Sequence, residues 1–201
     1  MGLREKNKQQ KLERIVKAAR ELFAEKGYAE TTTFEVAERA EIGTGTLFLY
    51  VKKKSELLLL VYGDVIRQTT DQQFATLPEA ASLLDSLLHI FTAFFHLYEQ
   101  RPDDAYAYIK EVLFHDADRL HSSHIEQFGF FLEKMAILVE RAQERGEVAP
   151  DIDVQLASAN FFSIYYMTLT SWLGGMRSQG EALEYLKSSL ALFIRGLLPR
   201  S

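Results

Sequence analysis

The chain has 201 residues, 47% hydrophobic and 25% charged, and a net charge of −5. A chain of that length suits one or two small domains and buries about 70% of its unfolded surface, so it needs no covalent staples. Cysteine is absent, which excludes disulfides and thiolate metal sites.

The opening segment MGLREKNKQQ lacks an apolar core, so no secretory signal is expected there. It begins Met-Gly, but Lys6 stands where a myristoylation signal needs Ser or Thr. The longest apolar-leaning run, 161–173, carries Ser and Thr and stops at Gly174-Gly175. It is shorter than the roughly 18 apolar residues of a membrane span. A cytoplasmic protein with no membrane association is the expectation. The charge is uneven: residues 1–55 hold twelve Lys and Arg against eight Asp and Glu, and residues 56–201 hold eleven against twenty. A basic first quarter on an acidic body points to a polyanionic partner for that quarter.

The periodicity is helical throughout. Ile15, Ala18, Ala19, Leu22 and Phe23 recur on one helix face, and Gly27 follows as a C-cap. Thr32 and Glu35 have the spacing of a capping box, followed by the short apolar face Val36, Ala37 and Ala40. Residues 44–50 read as a second short helix, and a long helix starts near Lys54. Pro78, Pro102 and Pro150 sit near helix starts, with periodic segments over 79–100, 103–115, 120–145, 151–174 and 180–197. Gly146 and Gly174-Gly175 read as stops. No alternating β-branched run asks for a sheet.

Residues 32–51 therefore read as helix, glycine-containing turn Glu41-Ile42-Gly43, helix, with Thr44 able to cap the second helix. That is the arrangement in which the second helix enters the DNA major groove. Gly45 removes a side chain and lets the backbone approach. Thr44 and Thr46 bring short hydroxyls and a methyl that packs on thymine. Leu47 points back into the core, and Tyr50 offers a hydroxyl to phosphate. Lys52, Lys53 and Lys54 follow beside the next helix N-terminus. Arg4, Lys6, Lys8 and Lys11 form a basic arm that either reaches DNA or is a solvated tail.

The window 12–62, with the core IVKAARELFAEKGYAETTTFEVAERAEIGTGTLFLYVKKKSEL, resembles the N-terminal domain of the TetR (tetracycline-repressor-like) family of bacterial regulators. The matching features are Phe23 to Tyr28, the Thr32-capped helix with Val36 and Ala37, the run Gly45 to Val51, and Lys54 opening the fourth helix. The DNA-binding residues carried over or read from the window are Thr33, Thr44, Gly45, Thr46, Phe48, Tyr50, Lys52, Lys53 and Lys54. There are departures. Glu41 replaces the usual turn glycine, Gly43 stands where Ser commonly caps, Phe48 replaces a Tyr, and Lys53 occupies the usual Ser or Asn cap. The phosphate grip is therefore expected to lean on Tyr50 and the lysines.

The remainder holds fifteen of the 24 aromatic residues between Phe91 and Trp172. An aromatic stripe at helical spacing is more often core, yet such walls also line small-molecule pockets. The resemblance implies a ligand pocket, with Phe91, Phe95, Tyr98, Tyr106, Phe128, Phe131, Asn160, Phe162, Tyr165 and Tyr166 as its candidates. His89, His96 and Thr168 are further polar candidates. Few cations lie there, which favours a neutral or cationic apolar ligand. His115, Asp116, Asp118, His121 and His124 cluster but read as a polar turn, so no metal or other cofactor is expected. The helix over 151–174 is apolar nearly all round, so two faces need burial. Leu169, Trp172, Leu186, Leu190 and Phe193 are candidates for a homodimer interface, which the resemblance also implies.

The expected fold is all-α: an N-terminal arm and three-helix helix-turn-helix DNA-binding domain over 1–53, joined by a long helix to a helical ligand-binding and dimerisation domain over 54–201. The expected function is a ligand-responsive DNA-binding transcriptional regulator, a homodimeric repressor released from a palindromic operator in double-stranded DNA by a small apolar or aromatic effector. It is not expected to be an enzyme. The alternative is an all-helical carrier or enzyme whose basic quarter is incidental.

Overall fold

The computed structural model describes residues 2–114 and 119–199, with the side chains of residue 3 and residues 113–126 left aside. The described residues form α-helices and no strands. The helices are α1 (Leu3–Glu30), α2 (Thr33–Arg39), α3 (Thr44–Leu47), α4 (Lys54–Ala75), α5 (Leu83–Glu99), α6 (Pro102–Phe114), α7 (Arg119–Glu144), α8 (Val154–Leu173) and α9 (Gln179–Gly196). None is long and apolar enough to cross a membrane. The His115–His124 cluster lies outside the described side chains. Two compact units emerge: Met1–Val65 with Ala107–His121, and Ile66–Tyr106 with Ser122–Ser201. The N-terminal unit thus takes in part of α4 as well as the span up to residue 53.

In the N-terminal unit the apolar face of α1 is buried as its periodicity requires. Ile15, Ala18, Ala19, Leu22 and Phe23 are all inside, as are Val36, Ala37, Ala40, Leu47, Val51 and Leu57–Leu59, and α1 packs on α2. Many of these residues are alanines, which lets short helices approach closely. α1 begins at Leu3, so the basic arm is helical rather than a tail. Gly27 ends the regular helix, but not in the expected left-handed cap: its φ of 87° and ψ of 161° lie in a region open essentially only to glycine. One more turn, 28–30, follows this kink. Tyr28 then meets Phe23 edge-on at 5.4 Å.

In the second unit α8 packs on α9, and α9 on α5. Leu87, Ile90, Phe91, Phe95, Met135, Val139, Phe161, Leu169, Leu186 and Leu190 are buried. The helix starts expected at 79 and 151 fall at Leu83 and Val154. Side-chain caps decide this. Ser82 accepts from the Asp85 amide, and Asp153 accepts from those of Gln155 and Leu156. Pro102 is the first residue of α6, where a missing N–H is harmless. The stop expected after α8 is present: Gly175, with φ 75°, lets the Met176 amide return to the Ser171 carbonyl at 2.9 Å.

Candidate nucleic-acid interface and effector site

The helix-turn-helix is set by local chemistry. Thr32 caps α2 through the Glu35 amide at 3.2 Å, and Glu35 returns a carboxylate to the Thr32 amide at 2.9 Å. Lys26 reaches the same carboxylate at 2.5 Å and, with the Thr32 donors, holds its pKa down to about 2. At the other end of α2, Arg39 grips both oxygens of Glu25 at 2.8 and 3.0 Å. The chain then turns at Glu41, whose φ of 53° is left-handed. Arg14 closes the turn by donating to the Ala40 carbonyl and to the Glu41 carboxylate at 3.2 Å.

α3 is shorter than the sequence suggested. It is one turn, Thr44–Leu47, and the chain to Val51 continues in tight turns, with Leu49 N–H donating to Thr46 and Tyr50 N–H to Leu47. Gly43 holds the N-cap position and no side chain caps the helix, so Thr44 is the first helical residue rather than the cap. Leu47 and Val51 are fully buried and anchor the turn. On the other side Gly45 is exposed, Thr44, Thr46 and Tyr50 are partly exposed, and Phe48 is 47% exposed. Leu49, which the sequence reading passed over, is 82% exposed. Thr33 opens α2 and is partly exposed.

The lysine triplet divides. Lys54 Nζ donates to the Ala29 carbonyl at 2.8 Å and sits 4.4 Å from the Tyr28 ring centre, tying α4 to the end of α1. Lys53 pairs with Glu111 at 3.7 Å. The side chains of Lys52 and Lys53 are exposed, while the Lys52 amide is held by the buried Glu56 carboxylate at 2.8 Å. Arg4, Asn7, Lys8 and Lys11 of α1 line an open groove of about 640 Å³ together with Leu49 and Tyr50. Arm and recognition turn therefore form one basic surface, with Lys6 outside the groove.

In the second unit the aromatic candidates divide too. Phe91 stacks on Tyr165 at 4.5 Å, and Phe95 stacks on Trp172 at 5.2 Å. Phe131 meets Phe74, Phe91, Phe94 and Phe162 at 5.8 to 6.4 Å. Phe162 also meets Phe128 at 4.8 Å and Tyr166 at 5.5 Å. Tyr98 is buried, but Tyr106 is 50% exposed. Asn160 lies elsewhere, in an open groove of about 620 Å³ on α8 and α9 with Met167, Tyr185 and Leu192. Among the polar candidates, His89 approaches Thr76 at 3.2 Å, His96 approaches Glu99 at 3.4 Å, and Thr168 donates to the Ile164 carbonyl at 2.7 Å. The dimer candidates Leu169, Leu186 and Leu190 are fully buried in the seam of a single chain. Phe193 packs on Phe161 at 5.1 Å. Helical periodicity gives a buried face but does not say which partner buries it.

Residues 15–61 match the family model "Bacterial regulatory proteins, tetR family". The HTH-type transcriptional repressor KstR2 of Mycolicibacterium smegmatis is 30% identical over 149 residues, 71% of this chain and 69% of that protein. The chain belongs to the TetR family. The "Fatty acid metabolism regulator protein" of Bacillus subtilis is 27% identical over 195 residues, 96% of this chain and 98% of that protein. Among solved structures, Thermus thermophilus FadR, a TetR family transcriptional repressor in complex with lauroyl-CoA, superposes with a TM-score of 0.73 at 24% identity, covering 94% and 96% of the two chains.

This TetR-family chain is thus a DNA-binding transcriptional regulator. Its departures from the family pattern now have local explanations. Glu41 takes the left-handed conformation that the usual glycine would take. Gly43 leaves the recognition turn without a side-chain cap. Where Lys53 replaces the usual cap of α4, Glu56 reaches back to the Lys52 amide instead.

Proposed function

We propose that the chain is a homodimeric repressor that leaves a palindromic operator when a long-chain acyl thioester of the acyl-CoA class enters the aromatic cluster of its C-terminal region. The observation that carries the ligand class is the likeness, over nearly the whole chain, to a fatty acid metabolism regulator and to a repressor holding lauroyl-CoA. The cluster itself suits an acyl chain: Phe74, Phe91, Phe94, Phe131 and Phe162 offer an apolar wall. An acyl-CoA carries anionic phosphates, so this reading departs from the expectation of a neutral or cationic ligand; only its acyl chain is apolar and uncharged. A cation adjoins the cluster, since Lys134 Nζ stands 5.3 Å from the Phe74 ring centre and 4.9 Å from that of Phe130.

At the operator, residues 44–50 enter the major groove. Thr33, Thr44, Gly45, Thr46, Phe48, Tyr50, Lys52 and Lys53 contact DNA, and Lys54 orients the start of α4. Functionally residues 1–53 read DNA, and 54–201 sense ligand and dimerise. Two copies pair through α8 and α9. Apolar exposure on those helices supports this, with Leu156, Met167 and Leu192 each more than 60% exposed. A two-fold dimer reads half-sites ~34–36 Å apart or multiples of that. α4 is one continuous helix with residues in both units, which suits it to carry the ligand signal. A coupling of about 1–3 kcal/mol gives a 5–150-fold change in operator affinity. The protein is expected in the cytoplasm, with its DNA, and without catalytic activity.

The test is fluorescence anisotropy of labelled DNA from upstream of the gene, titrated with protein and then with lauroyl-CoA. Competitor-resistant binding that lauroyl-CoA reverses is the expected result. Release by none of a series of acyl-CoAs would reject the ligand class and leave the family assignment intact.

A further inference from the structure

We propose that the Tyr166 hydroxyl is the donor that reads the acyl carbonyl of the ligand, an assignment that rests on the acyl-thioester reading above. Among the described residues, Tyr166 Oη is the buried side-chain polar atom that has no hydrogen-bond partner. Other polar side chains on α8 are satisfied by the helix itself. Ser158 donates to Val154, Ser163 to Ala159, Thr168 to Ile164 and Ser171 to Thr168, all at 2.7 or 2.8 Å. Short side chains can bend back to a carbonyl three or four residues earlier. A tyrosine hydroxyl, held at the far side of a rigid ring, cannot.

Its described ring neighbours offer no acceptor. The Tyr166 ring stacks on Phe162 at 5.5 Å with 24° between the planes, and Phe162 in turn meets Phe128, Phe131 and Tyr165. Burial raises the hydroxyl's pKa to about 12, so it stays protonated and able to donate at neutral pH. A phenylalanine would fill nearly the same space without leaving a donor unpaired, so the hydroxyl adds nothing to the folded chain that its neighbours require. An unpaired buried donor is costly, and a guest that brings an acceptor removes that cost. In a long-chain acyl thioester, the acceptor next to the alkyl chain is the thioester carbonyl. The phosphates lie farther off and carry charge unsuited to an aromatic wall.

Full-length wild type and Tyr166→Phe are compared with lauroyl-CoA and with S-dodecyl-CoA, the thioether that lacks the carbonyl. Wild type is expected to bind the thioester about tenfold more tightly than the thioether, and Tyr166→Phe is expected to bind the two equally. Without ligand, Tyr166→Phe is expected to melt no lower than wild type. A lower melting temperature would mean that the hydroxyl already has a structural partner, and would overturn the assignment. An unchanged thioester preference in Tyr166→Phe would overturn it too, while leaving the acyl-thioester reading standing. If wild type binds neither compound, the ligand class and the carbonyl assignment both fail.

Discussion

The two units bury their apolar residues in different ways. The N-terminal unit closes mainly on aliphatic side chains, with Ile15, Ala19, Val36, Leu47 and Leu57 fully buried, and presents glycine, threonine and lysine outward. The second unit closes on rings, with Phe91, Phe95 and Phe161 fully buried. In the first, the residues proposed to act differ in kind from those that pack. In the second they are the same kind. A substitution can therefore separate fold from function in the N-terminal unit, and in the second it strikes both unless it changes a single atom.

The largest effect expected is in the ring core. Phe161 is fully enclosed and meets Phe193 edge-on at 5.1 Å. Phe161→Ala should lower the urea unfolding free energy by about 3–5 kcal/mol, from lost burial plus the cavity left behind. A loss below about 1 kcal/mol would mean that the rings repack readily, and the contrast between the units would weaken.

Gly45→Ala should do the opposite. A Cβ at this position meets no atom within 4 Å, so the fold has room for it. Helix propensity predicts a stability gain of up to about 1 kcal/mol. Operator affinity should nonetheless fall about tenfold, because the methyl would hold the backbone off the DNA by a distance comparable to a hydrogen bond. Equal affinity in an anisotropy titration would remove Gly45 from the interface.

Glu41→Gly probes strain rather than contact. Glu41 occupies the left-handed region at a cost of roughly 1–2 kcal/mol, which glycine does not bear. Glycine loses about 0.4–1 kcal/mol through the freer unfolded chain. The Arg14–Glu41 pair is exposed, so losing it costs little, and Arg14 keeps its bond to the Ala40 carbonyl. A net gain of about 0.5 kcal/mol should appear as a small rise in melting temperature. A fall would show that the ion pair, and not the backbone, holds this turn.

The same contrast explains what could be read in advance. The capping box at Thr32 and the inward turn of Leu47 were legible because each depends on residues three or four apart. The length of α3 was not. Tight turns after Leu47 end it, and no residue in 48–50 marks that stop. The helical state of the basic arm was equally hidden, because a polar segment with no apolar stripe has no periodicity to detect. Spacing put Phe91, Phe131 and Phe162 in separate stretches and only the resemblance put them in one candidate set; neither could tell that the three rings meet, that Asn160 lies in another groove, or that Tyr106 is half exposed. Leu169, Leu186 and Leu190 show the same limit, since an apolar stripe fits an intrachain seam as well as an interface.

The smallest effect expected concerns acid. Each unit begins a helix with the same reciprocal box, Thr32–Glu35 on α2 and Ser178–Glu181 on α9. In the first, the Lys26 ammonium adds to the Thr32 donors and brings Glu35 from an ordinary 4.5 to about 2. In the second, the Ser178 amide and hydroxyl lower Glu181. A folded carboxylate with a depressed pKa takes up its proton later than the unfolded one as pH falls. Its stabilisation is complete above the ordinary value and is lost on the way down to the depressed one. Both boxes should therefore make the protein less stable as pH falls from 4.5 towards 2, weakly, since the groups are exposed. Glu35→Gln should flatten that slope more than Glu181→Gln, because Lys26 bonds Glu35 directly whereas Arg177 acts on Glu181 only through space and as the smallest of its causes, and added salt should narrow the difference by screening Lys26. Urea titrations across that pH range decide it. Equal flattening by the two variants would mean that the hydrogen-bonded box, common to both units, sets the acid sensitivity and that the lysine adds nothing.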